Sequence, residues 1–263
     1  MYEKNRRPAR PAAAAPAEET EGQLEGRNAL QEALRSGRTV DKVFIAAGEI
    51  DRGLQRLAAE AREAGAVVVP VDRRKLDAMS FTHAHQGVIA LAAAHVYYSI
   101  DDILEGAASR GEAPLIVICD ELSDPHNLGA ILRSAECAGA HGVIIPKRRS
   151  VGLTATVAKA SAGAVEYMKV ARVTNISAAI AELKQKGVWV FGTAAEGSIP
   201  MYQADLSGPA AIVIGSEGDG MSQLVRKNCD VMVNIPMKGR ISSLNASAAA
   251  SILLYEALRQ RLG

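Results

Sequence analysis

The sequence of 263 residues contains nothing like the roughly 18 consecutive apolar residues of a membrane-spanning helix, and its opening lacks the apolar core of a secretory leader. Both absences lead us to expect a protein that stays where it is made, in the cytoplasm. Cysteine is scarce: three residues, Cys119, Cys137 and Cys229, stand far apart and outside any C-x-x-C spacing. An odd, scattered set argues against a disulfide framework or a zinc site and fits a reducing compartment. An excess of one charge sign is also missing. A net charge of +1 gives no global field to attract a polyanion, so RNA binding would have to come from local clusters. Neither G-x-G-x-x-G nor G-x-x-x-x-G-K-[S/T] occurs, which removes the usual signatures of nicotinamide and nucleoside triphosphate binding. An NAD-linked oxidoreductase is then supported only by alternating strands and helices.

What is present is 48% apolar content, enough in a chain of this length for two compact domains or one large one. Residues 1–22 are rich in Ala, Pro, Glu and Arg and read as a disordered tail, either a solvated leader or an arm that touches RNA. From Leu24 the pattern becomes regular: a helix over 26–36, the strand KVFIA, a helix over 51–64, the strand AVVVPV, a short helix after Asp72, and the strand GVIALAA. This predicts a small α/β domain over residues 23–95. Residues 96–112 mix Asp, Glu, Gly, Ser and Arg around one short helical stretch, DDILEGA, and read as a linker. The second domain, residues 113–263, repeats strand and helix through LIVICD, GVIIP, EYMKV, VWVFGTA, AAIVIG and VMVNIP to a terminal helix. Near-continuous apolar strands between helices predict a parallel sheet covered on both faces, with ligands at the strands' carboxyl ends.

Three segments place polar or small residues just past such a strand. In DPHNLGAILR, Pro125 bars helix before it, Asn127 can cap, and Gly129 opens a helix carrying Arg133. The two could address one ligand, and an ordinary N-cap with a surface arginine fits the same spacing. In AAIVIGSEGDGMS the glycines allow close backbone approach to a ligand while Glu217 projects from the turn, or the segment is a plain strand-ending turn. Ser243 and Asn245 precede the last helix, and capping explains one of them. Ala246, Ala248, Ala249 and Ala250 permit close packing in a core or at a dimer seam. His83 and His85 have no partner at metal-binding spacing, so no metal is assigned. Lys147, Arg148 and Arg149 form the sharpest basic cluster and Arg73, Arg74 and Lys75 the second; each is a solvated loop, or a phosphate contact if it flanks the pocket.

Taken together and in order, NLGAILR, IVIGSEGDGMS and IPMKGRISSLNASAAASILLYE resemble the three motifs of the SpoU (TrmH-like) branch of the SPOUT RNA methyltransferases, over about residues 113–263. GRNALQEAL and HQGVIAL resemble the L30e-like substrate-binding domain of the same proteins. The resemblance implies a methyltransferase domain with a carboxyl-terminal trefoil knot, S-adenosylmethionine bound in the knotted loops, and a homodimer. It further implies 2′-O-methylation of a guanosine ribose in 23S rRNA, with a tRNA guanosine as the near alternative and a non-catalytic RNA-binding protein as the other class. Carried over by position, Asn127, Arg133, Glu217, Ser243 and Asn245 match catalytic or substrate-orienting residues. Thr193, Ala194, Gly215, Ile235, Met237 and Leu244 match the cofactor loops. A ribose hydroxyl is a weak nucleophile near neutral pH, so alignment and stabilisation of developing alkoxide charge must carry the reaction. Arg133, protonated under nearly all conditions, suits a phosphate or oxyanion clamp better than a base.

Overall fold

A computed structural model describes residues 22–48, 51–194, 198–216, 218 and 220–263. The expected tail, Gly22 apart, and Glu217 lie outside the described residues. The first unit runs β1 (Gln23–Glu25), α1 (Arg27–Arg35), β2 (Val40–Ala46), α2 (Arg52–Glu63), β3 (Val67–Val71), α3 (Arg73–Met79) and β4 (Val88–Ala92). Its sheet has the order β1-β4-β2-β3, with β2 and β3 parallel and the other pairs antiparallel. Asp51 caps α2 by accepting from the Leu54 N–H, and Asp72 caps α3 through the Arg74 N–H. Strand β1 is too short for periodicity to reveal. Its buried Glu25 accepts from the Ser80 hydroxyl and from the Phe81 and Thr82 N–H groups, which fixes the chain's entry into the sheet.

The second unit begins inside the segment expected to be a linker. Helix α4 (Ile100–Ser109), capped by a Ser99–Asp102 capping box, buries Ile100, Ile103 and Ala107. Gly142 admits it: a Cβ there would stand 2.5 Å from Ile103 Cδ1. There follow β5 (Leu115–Cys119), α5 (Pro125–Cys137), β6 (Gly142–Pro146), α6 (Ala155–Ala160), β7 (Val170–Val173), α7 (Ile176–Gln185), β8 (Trp189–Thr193), β9 (Ile199–Pro200), β10 (Ala210–Ile214), α8 (Gln223–Asn228), β11 (Val231–Asn234) and α9 (Ala246–Leu262). The seven strands take the order β7-β6-β5-β10-β8-β11-β9 and every pairing is parallel. Both faces are buried, so β5, β6 and β10 are apolar throughout.

One strand expectation is corrected. EYMKV is not a strand: Gly163, at φ +92, leads into a 3-10 turn over Ala164–Glu166, and β7 starts only at Val170. Docking between the units dictates this. Tyr167 donates to Glu32 of α1 at 2.6 Å, and Lys159 of α6 donates to Thr82 Oγ1 and Ala84 O at 2.8 and 2.7 Å. Arg38 meets Glu166 at 2.8 Å and His95 Nε2 at 2.7 Å in the same buried seam. Burial, reinforced by the Arg38 charge, pushes the His95 imidazole down to about 3, and burial holds Glu166 above the usual carboxylate range despite its ion pair.

Candidate active site

Parallel pairing brings the carboxyl ends of β5, β10, β8 and β11 to one end of the sheet. The loops leaving them enclose a cavity of about 760 Å³, lined by Thr193, Ala194, Gly215, Ile235, Met237 and Leu244 together with Ser243. The structure thus brings the six expected cofactor-loop residues and Ser243 into one space. The sequence reading missed Met221 and Arg226, which also line it. Arg226 lies on α8, a helix of six residues whose Ser222 N-cap makes no side-chain capping bond. Only the glycines of GSEGDG, which set the turn before it, could have pointed there.

Gly215 is demanded for a reason beyond the expected approach to a ligand. Ser216 and Gly220 exchange backbone hydrogen bonds of 3.0 and 3.1 Å. A Cβ on Gly215 would lie 2.3 Å from the Gly220 carbonyl carbon, so the glycine lets this loop close on itself. The loop is also moored to β5. Buried Asp120 accepts from the Ser222 N–H at 2.8 Å, while its own N–H bonds to Ile214 O at 2.8 Å.

The expectation that Asn127 caps its helix is corrected. Asp124 is the N-cap of α5, accepting from the His126 N–H at 2.9 Å, and Asn127 sits buried inside the first turn. Its Oδ1 accepts from Asn245 Nδ2 at 2.9 Å across 118 residues of sequence. Asn245 is the N-cap of α9: its Oδ1 accepts from the N–H groups of Ser247 and Ala248 at 2.9 and 3.3 Å. One side chain therefore begins α9 and ties it to α5, and Ser134 and Ser251 meet at 2.7 Å further along the same seam. Asn245 stands between Leu244 and Ala246, both on the cavity wall.

Arg133 does not share the inward face of Asn127. Six helical residues advance the chain about 9 Å and turn it about 240°, which leaves Arg133 exposed on α5 with no hydrogen-bonding or ionic partner among the described residues. His85 is held by Asp77 at 3.0 Å and accepts from the Gly87 N–H, which makes it a brace of its own loop.

Residues 114–255 match the model of the SpoU rRNA Methylase family, and residues 23–98 match that for RNA 2′-O ribose methyltransferase substrate binding. YacO of Bacillus subtilis (strain 168), named for the TrmH family of tRNA/rRNA methyltransferases, is 47% identical over 236 residues, spanning 90% of this chain and 94% of its own. The 23S rRNA (guanosine-2′-O-)-methyltransferase RlmB of Ralstonia nicotianae is 44% identical over 240 residues, covering 90% of this chain and 95% of its own. Among solved structures, the SpoU methyltransferase AviRb from Streptomyces viridochromogenes, crystallised with AdoMet, superposes with a TM-score of 0.80 at 26% identity over 92% of this chain and 90% of that one.

Proposed function

The chain belongs to the SpoU (TrmH-type) family of RNA 2′-O-ribose methyltransferases, and from that membership we propose that it methylates the 2′-hydroxyl of a guanosine in 23S rRNA. The observation that carries the choice of target is its end-to-end likeness to RlmB. S-adenosylmethionine, when bound, supplies an electrophilic methyl carbon. The cavity fits such a ligand: Ile214, Met221 and Leu253 offer apolar walls for a base and a thioether arm, and Thr193 and Asn234, at the ends of β8 and β11, complete its lining. Thr193, Ala194, Gly215, Ile235, Met237 and Leu244 would hold it.

The chain's own residues then have separable tasks. Asn245, fixed by α9 on one side and Asn127 on the other, positions the loop over 235–245, and Ser243 within that loop faces the cavity. Arg133, exposed and without a carboxylate partner among the described residues, clamps an RNA phosphate or the developing oxyanion. Residues 23–95 select the RNA, a role supported by the substrate-binding match. In the same reading the segment from β10 to α9 forms the family's trefoil knot and the protein works in the cytoplasm as a homodimer. Ile252 and Tyr255, exposed on α9, are available for that contact.

Nucleoside mass spectrometry of RNA from cells lacking the protein tests the target. Loss of one 2′-O-methylguanosine from 23S rRNA is expected; loss from tRNA instead would transfer the assignment to tRNA. A protein that gives no heat of association with S-adenosylmethionine in calorimetry would be the non-catalytic RNA binder.

A further inference from the structure

The basic run Lys147, Arg148 and Arg149 leaves β6 at the same end of the sheet as the candidate site, because β6 lies parallel beside β5. It lines no part of the cavity. An ordinary solvated loop would need little anchoring, yet this one is pinned on three sides. The Lys147 N–H bonds to Val173 O at 2.8 Å, the Val151 N–H to Leu122 O at 3.1 Å, and the Leu153 N–H to Tyr97 Oη at 3.0 Å. Arg149 also reaches Glu121 at 3.1 Å. Glu121 and Arg149 both hold left-handed backbone, at φ 56 and φ 57, which is uncommon for residues with side chains and persists where surrounding contacts impose it.

The pinning has a direction. Leu122 and Glu121 belong to the loop that feeds α5 and hence Asn127. On its far side the run continues into α6, whose Lys159 grips Thr82 and Ala84 of the first unit. The loop therefore spans the gap between the first unit and the transfer site. Its charges are also uncommitted: Lys147 and Arg148 are exposed and form no ion pair among the described residues. Beneath it, Arg172 lies over the Tyr97 ring at 5.2 Å, next to Gly152, and its buried Nε has no hydrogen-bond partner among the described residues. Two cations without carboxylate partners among the described residues thus stand on a preshaped loop beside a third, Arg172 of β7, in a chain whose net charge is only +1.

We propose that the loop carrying Lys147 and Arg148 is a phosphate-binding bridge, which holds the RNA backbone between the first unit and the site where the ribose is methylated. The bridge rests on the RNA-methyltransferase reading above. Polyanion binding by pinned, unpaired cations exploits counterion release, and holding the loop in advance reduces the conformational entropy lost on contact.

The test is the double variant Lys147→Gln/Arg148→Gln in the full chain. Its binding to unmodified 23S rRNA transcribed in vitro is measured over a KCl series, with S-adenosylmethionine calorimetry alongside. Losing two phosphate contacts should lower the slope of log Kd against log [KCl] by about 1.4, at roughly 0.7 per single-stranded contact. Raising KCl from 50 to 200 mM should then cost the variant about sevenfold less affinity than it costs the wild type. Heat of cofactor association should stay unchanged. An unaltered slope overturns the bridge, and so does an equal loss of cofactor binding, which would mark the loop as a structural support. A wild-type protein that neither binds the cofactor nor methylates any RNA would instead refute the methyltransferase reading, so the two failures are separate.

Discussion

Replacing Asn245 separates two jobs that one side chain performs. Asn245→Ala removes the oxygen that caps α9 and the amide that reaches Asn127. Loss of an N-cap costs about 1 kcal/mol, and loss of one such interhelical hydrogen bond costs about 1 kcal/mol more. A total near 2 kcal/mol lowers Tm by about 4–8 °C for a chain of this size. Asn245→Asp keeps the capping oxygen and adds a negative charge at the helix N-terminus, worth about 0.3–1 kcal/mol. It loses the donor, however, and turns an acceptor toward Asn127 Oδ1. The Asp variant should therefore unfold within about 1 kcal/mol of wild type while failing to hold α5 and the loop over 235–245 in register. Thermal unfolding by circular dichroism and methyl transfer to RNA would be measured on both. The expected pattern is impaired transfer in both variants and a large loss of stability in Ala alone. Wild-type transfer by Asn245→Asp would refute the tie as a positioning device, and an Ala variant within about 0.5 kcal/mol of wild type would refute the stability argument.

Three further outcomes follow from the same geometry. Gly215→Ala should cost about 1–3 kcal/mol of overpacking and weaken cofactor binding in calorimetry, because its Cβ would sit 2.3 Å from Gly220, whereas Gly218→Ala, with nothing within 4 Å among the described residues, should be tolerated for stability. Arg133→Ala should abolish methyl transfer yet leave cofactor association intact, since Arg133 lies outside the cavity wall; normal turnover by this variant would discredit the clamp. Burial pushes the His95 imidazole down from its ordinary 6.5 to about 3, so between these values the unfolded chain binds the extra proton and the stability that His95 contributes falls on acidification. The slope is at most about 1.36 kcal/mol per pH unit, and urea titrations of His95→Gln from pH 7 to 4 should show a shallower fall than wild type.

Much of the fold was legible because apolar runs are written locally. A strand buried on both faces must be apolar at every position, and LIVIC, GVIIP and AAIVI announced themselves on that ground. EYMKV stands where the repeat of strand and helix calls for a strand yet is not one, because Tyr167 turns outward to Glu32 and the docking of the first unit claims the segment. DDILEGA was visible as a helix, but its role as a packed layer depends on Ile103 entering the gap above Gly142. Helix α8 gave too few residues to show a period, and with it Arg226 and Met221 escaped notice.

Residue type and spacing by themselves pointed to most strands and helices and to the carboxyl-end loops as the place for a site, while the resemblance to the family named seven of the residues that line it. The partnership of Asn127 with Asn245, the outward face of Arg133, and the mooring of the Gly215 loop to Asp120 were decided only by the assembled sheet. Hydrophobic periodicity acts between neighbours a few residues apart, whereas a hydrogen bond across 118 residues exists only after parallel strands have brought two loop ends to the same edge.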